Sequence, residues 1–154
     1  RRGRRLMLAE IEQSLVAYLQ ASPLAARLRQ VEALPDLEGE SLVAKFGADA
    51  PALYIALGSG DLSQGMAAPT IGICCVTRNS RSPLAARHGD GMQIGLLQLI
   101  EAVVALIHGT LIDEVHYQAS RWDMVASEDL YRRGLYAAVV QVNTALVLPF
   151  ETAP

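Results

Sequence analysis

The chain has 154 residues, 51% of them hydrophobic and 19% charged, with 12 Gly, 7 Pro and 2 Cys. That length suits one domain able to bury a core without disulfides or metal, and the composition excludes intrinsic disorder and a small disulfide scaffold. The formal net charge is −3, which disfavours a general nucleic-acid binder because phosphate affinity comes mainly from Lys and Arg; the longest apolar stretch, residues 94–107, is broken by Gln98 and Glu101 and falls short of the roughly 20 residues of a membrane span.

Four arginines, Arg1, Arg2, Arg4 and Arg5, fall in the opening run RRGRR, so the remainder is more acidic than the total suggests. Residues 1–6 are expected to be a basic extension: a short DNA-binding arm, a non-native addition, or translated sequence upstream of a natural start at Met7. No apolar segment of the secretory kind follows the arginines, which points to a cytoplasmic setting. Residues 7–154 are expected to form a single domain.

In chain order, Leu8, Ile11, Leu15, Tyr18 and Leu19 recur at three- and four-residue spacing, which predicts a helix over residues 7–21. Ser22-Pro23 ends it and suits the start of a further helical turn. Residues 29–34 form a short strand closed by Pro35-Asp36, and residues 40–46 a brief helix stopped by Gly47. Residues 52–57 are a strand broken by Gly58-Ser59-Gly60-Asp61, and residues 70–77 are the next strand. Residues 79–91 read as a long polar loop.

A helix follows over residues 91–108. Its polar positions Gln98, Glu101 and His108 share one narrow stripe, so it needs burial on most of its circumference, under a sheet or against another chain. Residues 115–126 and 136–148 are two closing strands separated by 127–134. Ala137-Ala138-Val139-Val140 is apolar on both faces, which places the last strand centrally, and its length implies a bend or a projection. The order of elements predicts a small α+β domain, helices packed on a largely antiparallel sheet.

Catalytic patterns each fail at a named residue. Gly58-Ser59-Gly60 is followed by no lysine of a phosphate loop, and no G-x-S-x-G elbow occurs. Cys74 and Cys75 are neighbours in a strand, pointing to opposite faces, and read as small buried hydrophobes. His88, His108 and His116 form neither H-x-x-x-H nor H-E-x-x-H, so no metal site is assigned; His108 instead suits a helix C-terminus. Asp113-Glu114 reads as a solvated turn. No catalytic, cofactor-binding or metal-binding residue is assigned.

Contact chemistry is richer. Three of the eight arginines outside the opening run, Arg78, Arg81 and Arg87, lie in or beside the 79–91 loop, where they either stay solvated or dock on a partner's carboxylates. Trp122, between Arg121 and Asp123, is either an interface anchor or packing for one sheet face.

MLAEIEQSLVAYLQA, RQVEALPD, PALYIALGSG, LLQLIEAVVALIHG and the two closing strands, in that order over residues 7–149, resemble the tail terminator, or tail completion, proteins of Mu-like tailed bacteriophages. The resemblance implies a virion protein of the tail–neck region, assembled in the host cytoplasm. Such a protein forms a homo-oligomeric ring, typically a hexamer, on the head-proximal end of the tail tube. The ring stops polymerisation of the tube protein and docks the head-side connector or stopper, while DNA passes through without sequence-specific binding. It also implies a small α+β fold without catalytic residues or cofactor, and no membrane partner. The expected interface residues are Arg78, Arg81, Arg87 and Trp122. Two alternatives stand beside this: another minor tail or connector component, or a ligand-binding or enzymatic α+β domain whose site gathers His88, Asp90 and His116 in one concave pocket.

Overall fold

The computed structural model describes residues 8–35, 39–63, 66–79, 81–144 and 148–149, so the basic run at 1–6 and Met7 lie outside the described residues. The apolar periodicity of the N-terminal segment produces α1 (Leu8–Gln20), then a 3-10 turn (Pro23–Arg27) with proline at its start. There follow β1 (Gln30–Ala33), α2 (Gly39–Asp49), β2 (Ala52–Ser63), β3 (Met66–Arg78), α3 (Pro83–His88) and α4 (Leu96–Ile107). The chain continues through β4 (Thr110–Ile112), β5 (Val115–Met124), α5 (Glu128–Arg132), β6 (Leu135–Thr144) and β7 (Leu148–Pro149). The strands make one sheet in the order β1-β2-β3-β6-β5-β4, with β7 paired to the start of β3 off that path. Of the described pairings only β1 with β2 is parallel. The domain is therefore α+β with a largely antiparallel sheet, as its order of elements predicts.

Both sheet faces are covered, unequally. Strand alternation sends Leu53, Ile55, Ile71, Ile73, Cys75, Ala138, Val140 and Val142 into the larger core with Ile11, Leu15 and Leu19 of α1 and Leu99, Ile100, Val103 and Ile107 of α4. The Tyr18 hydroxyl donates to the Leu106 carbonyl at 2.9 Å, tying α1 to α4. The other face holds a smaller cluster, in which Phe46 of α2 and Leu130 of α5 cover Tyr54, Val76, Leu135 and Ala137. Phe46 stacks on Tyr54 with centroids 4.9 Å apart. Lys45 bridges Asp49 and Glu32, each at 2.9 Å, and the Tyr54 hydroxyl donates to Asp49 at 3.2 Å. The central position expected for the last strand holds, since β6 lies between β3 and β5 with buried residues on both faces.

Several local expectations are corrected by tertiary contacts. Gly47 does not stop α2, which runs on to Asp49. A helical glycine costs only about 1 kcal/mol, and the extra turn gains the Lys45–Asp49 pair and the Tyr54 hydrogen bond. Gly58-Ser59-Gly60-Asp61 does not break β2. The strand continues to Ser63 against Met66–Thr70, with a register shift between Leu57 and Ser59 absorbing Gly58. Gly60 sits close to the partner strand there: a Cβ would lie 3.2 Å from the Ala68 carbonyl oxygen, a tight contact.

The 79–91 loop contains α3, capped by Ser82, whose hydroxyl accepts from the Ala85 N–H at 3.3 Å. The long helix begins only at Leu96, where the Gly95 N–H donates to the Gln98 side chain at 3.0 Å. Its need for burial is met inside the chain: only Gln98, Glu101 and Ala105 are exposed along α4. Strand β4 and helix α5 add to the elements expected from the sequence, and of the strand expected over 136–148, residues 145–147 lie outside the described residues while Leu148–Pro149 pairs with β3.

Leu99, fully buried between α4 and the sheet, and Leu62, 72% exposed on β2, make a matched test. Leu99→Ala is expected to lower unfolding stability by about 2–5 kcal/mol, whereas Leu62→Ala stays within about 0.5 kcal/mol of the parent. Equilibrium urea unfolding measures both, and equal effects would contradict the assigned core.

Candidate functional site

Sheet register brings distant residues to one end of the molecule. Gln30 stands opposite Ala52, and Ala52 opposite Val76, so the start of β1, the start of β2 and the end of β3 lie together. The Arg29 N–H donates to the Pro51 carbonyl at 2.8 Å, fixing that corner. The segment leaving β3 is organised by Asn79, which is buried. Its Oδ1 accepts from the N–H groups of Arg81 at 3.0 Å and Ser82 at 3.3 Å, the local turn that asparagine favours. Its Nδ2 donates to Asp90 at 3.1 Å, and its own N–H donates to the Gly134 carbonyl at 3.1 Å.

These contacts shape an open cleft of about 370 Å³, lined by Arg29, Ala50, Pro51, Arg78, Asn79, Arg81, Asp90, Met92 and Gln93. Its electrostatics are one-sided. The Asp90 carboxylate accepts from the N–H groups of Gln93 at 2.8 Å and Met92 at 3.0 Å, and from Asn79. The Gln93 and Met92 N–H groups, then Asn79 and the nearby Arg81 charge, hold its carboxyl below the usual aspartate value. Asp90, the acid among the described lining residues, is thus already engaged. Arg78 donates to the Gly47 carbonyl at 3.0 Å, and among the described residues Arg29, Arg78 and Arg81 make no ion pair. Three arginines without an ion pair among the described residues therefore line one concave surface, and guanidinium donors suit carboxylate or phosphate oxygens.

Of the residues singled out in the sequence, Arg78 and Arg81 meet in this cleft. Arg87 is exposed in the last turn of α3 and does not line it. Trp122 is 51% exposed on β5, separated from β3 by β6, beside an Arg121–Asp123 pair at 2.9 Å. His88, Asp90 and His116 are not gathered. Asp90 lies where β3 ends opposite the start of β6, whereas His116 precedes Tyr117, which stands opposite Thr144 at the other end of β6. Among the described residues no group of three His, Cys, Asp or Glu side chains could hold a metal ion.

Arg29, Asn79, Met92 and Gln93 are polar or exposed cleft residues that sequence reasoning missed. The Asn-Ser-Arg-Ser-Pro run carried a turn signal for Asn79, but Arg29 arrives only through the parallel β1–β2 pairing. Cys74 and Cys75 do face opposite sides, one against each core cluster. Burial pushes the Cys74 thiol up to about 12, and burial with the neighbouring Cys74 raises Cys75 well above the ordinary range.

Two outcomes follow from these environments. A folded Asp90 value below its ordinary 3.8 means that the contacts of the carboxylate stabilise the loop above that pH and are lost only as pH falls through the lower folded value. NMR titration of the carboxyl carbon is expected to give a midpoint under 3.8; a midpoint at or above it would contradict the Gln93 and Met92 contacts. Both cysteines are expected to resist alkylation at pH 8 in the native protein and to react on unfolding, read by mass spectrometry. Rapid native labelling would contradict their burial.

No protein-family model matches the chain, and no curated protein matches it, so functional inference rests on the chemistry of this surface together with the resemblance noted in the sequence.

Proposed function

We propose that the chain is a non-enzymatic structural assembly protein that caps the head-proximal end of a phage tail tube as a homo-oligomeric ring of six subunits. It halts polymerisation of the tube protein and presents the surface on which the head-side connector or stopper docks. The observation that carries this reading is the end of the sheet around the cleft. There, Arg29, Arg78 and Arg81, which make no ion pair among the described residues, line the cleft with Met92, 91% exposed. Arginine and methionine are enriched in protein contact surfaces, and exposed apolar groups beside free guanidinium groups favour a macromolecular partner over solvent.

Arg87 is exposed in the last turn of α3, outside the cleft, and Trp122 with exposed Met124 offers a second contact on β5, beyond the stretch that β4 covers. A ring requires one patch to meet a different patch on the neighbour. The overall charge of −3 suits DNA sliding through such a ring without adhering, since few cations are available to neutralise phosphate. Among the described residues no helix is long and apolar enough to cross a membrane.

The test is tube polymerisation from purified tail tube protein, imaged by negative stain with and without this chain. The wild type is expected to give length-limited tubes with added density at one end. The triple variant Arg78→Glu/Arg81→Glu/Arg87→Glu is expected to leave tubes unlimited while its melting temperature stays within a few degrees. A triple variant that caps like the wild type would remove the arginine surface from the account. A wild-type chain that leaves tube length unchanged would sink the terminator function.

A further inference from the structure

Turn β4–β5 is built from two acidic residues in an uncommon backbone state. Ile112 stands opposite Val115, so Asp113 and Glu114 alone close the hairpin, with φ of 47° and 69°. A two-residue hairpin turn with both central φ values positive favours Asn-Gly, because a Cβ is disfavoured there. Here two carboxylates occupy those positions instead, both exposed. The Ser14 hydroxyl donates to Asp113 Oδ2, anchoring the turn to α1, while Glu114 has no hydrogen bond or ion pair among the described residues.

Among the described residues the other carboxylates are committed elsewhere, have an unpartnered oxygen that is buried, as in Glu10, or stand singly. Glu32 and Asp49 serve Lys45, Asp123 serves Arg121, Glu128 serves Arg132, and Glu12 accepts the Leu57 N–H. Asp61, Glu101 and Asp129 lack a free acidic neighbour. Asp113-Glu114 is therefore the exposed, turn-fixed acidic pair of the described chain.

Its place in the fold decides what it can meet. Arg78 stands opposite Leu135, Thr70 opposite Asn143, and Tyr117 opposite Thr144. The arginine cleft and the acidic turn thus occupy opposite ends of one sheet, separated along the strands by roughly 40 Å at about 3.3 Å per residue. They cannot meet within one copy. Two complementary patches at opposite ends, each without an internal partner for its free groups, define a heterologous contact that repeats from copy to copy.

We propose that the cleft of Arg29, Arg78 and Arg81 receives the Asp113-Glu114 turn of a second copy, making the head-to-tail joint between subunits. This rests on the assembly function proposed above and specifies the joint between subunits. Guanidinium groups with free donors suit two carboxylates by charge-assisted and bidentate hydrogen bonds; Asp90, although it feels the Arg81 charge, makes no ion pair with them among the described residues.

The test is a charge exchange read by sedimentation velocity and mass photometry at low salt. Arg81→Glu and Glu114→Lys are each expected to weaken self-association by about tenfold or more. An equimolar mixture of the two is expected to restore it to within a few-fold, since each cleft then finds an opposite charge on the other variant. A third variant, Asp113→Asn/Glu114→Gly, relaxes the turn; it is expected to melt at or above the wild-type temperature yet lose association, which separates contact from folding. Single variants that assemble like the wild type, or a mixture that fails to recover, would overturn the joint while leaving a wild-type ring standing. A wild type that remains monomeric alone and on tube protein would take down the joint and the ring together.

Discussion

The pairing of β3 with β6 is the contact on which the rest of the domain depends. Their register runs unbroken from Thr70 opposite Asn143 to Arg78 opposite Leu135. Alternation along this pair feeds both cores at once: Ile71, Ile73, Cys75, Ala138, Val140 and Val142 face α1 and α4, while Val76, Leu135 and Ala137 face α2 and α5. Each fully buried Val, Leu or Ile contributes about 1.5–3 kcal/mol, but chain entropy cancels most of that sum. Neither helical layer could lose its contact with this pair without exposing apolar surface. The same register fixes the ends of the sheet, and so fixes where Asn79 leaves β3 and where the β4–β5 turn projects.

Elements with a strong apolar period were legible in the sequence. The three- and four-residue spacing of Ile11, Leu15 and Leu19 located α1, and the narrow polar stripe of α4 foretold its deep burial beneath other elements. The double-faced Ala137–Val140 run placed β6 at the centre. Local breakers misled where a distant partner outweighed them. Gly58 to Asp61 looks like a turn until Met66–Thr70 pairs with it, and Gly47 looks like a stop until Tyr54 and Lys45 engage Asp49. Ser82-Pro83 was a helix start hidden in a polar segment. Of the cleft, Arg78 and Arg81 were visible as neighbouring charges. Arg29 was not, because only the parallel pairing of β1 with β2 delivers it, and the same topology carries His116 away from His88 and Asp90.

The resulting molecule is chemically polar along its strands. One end gathers arginines around a buried asparagine and an acid that accepts two backbone N–H groups and the Asn79 amide. The other presents two carboxylates on a tight turn. In the proposed ring these ends would meet, leaving α4 buried within each subunit and the part of β5 beyond β4, with Trp122 and Met124, free for a further partner. Arginine end and acidic end are both solvent-facing, so such a joint would be weakened by salt, as screening shortens the reach of exposed charges to about 10 Å at 0.1 M.

The most direct test of assembly through this surface is the molar mass of the wild-type chain by light scattering, alone and mixed with tail tube protein, across a salt series. The account predicts species at a multiple of 16.6 kDa that form alone or on the tube and dissociate as salt rises. A single 16.6 kDa species at every salt concentration, unchanged by tube protein, would contradict it.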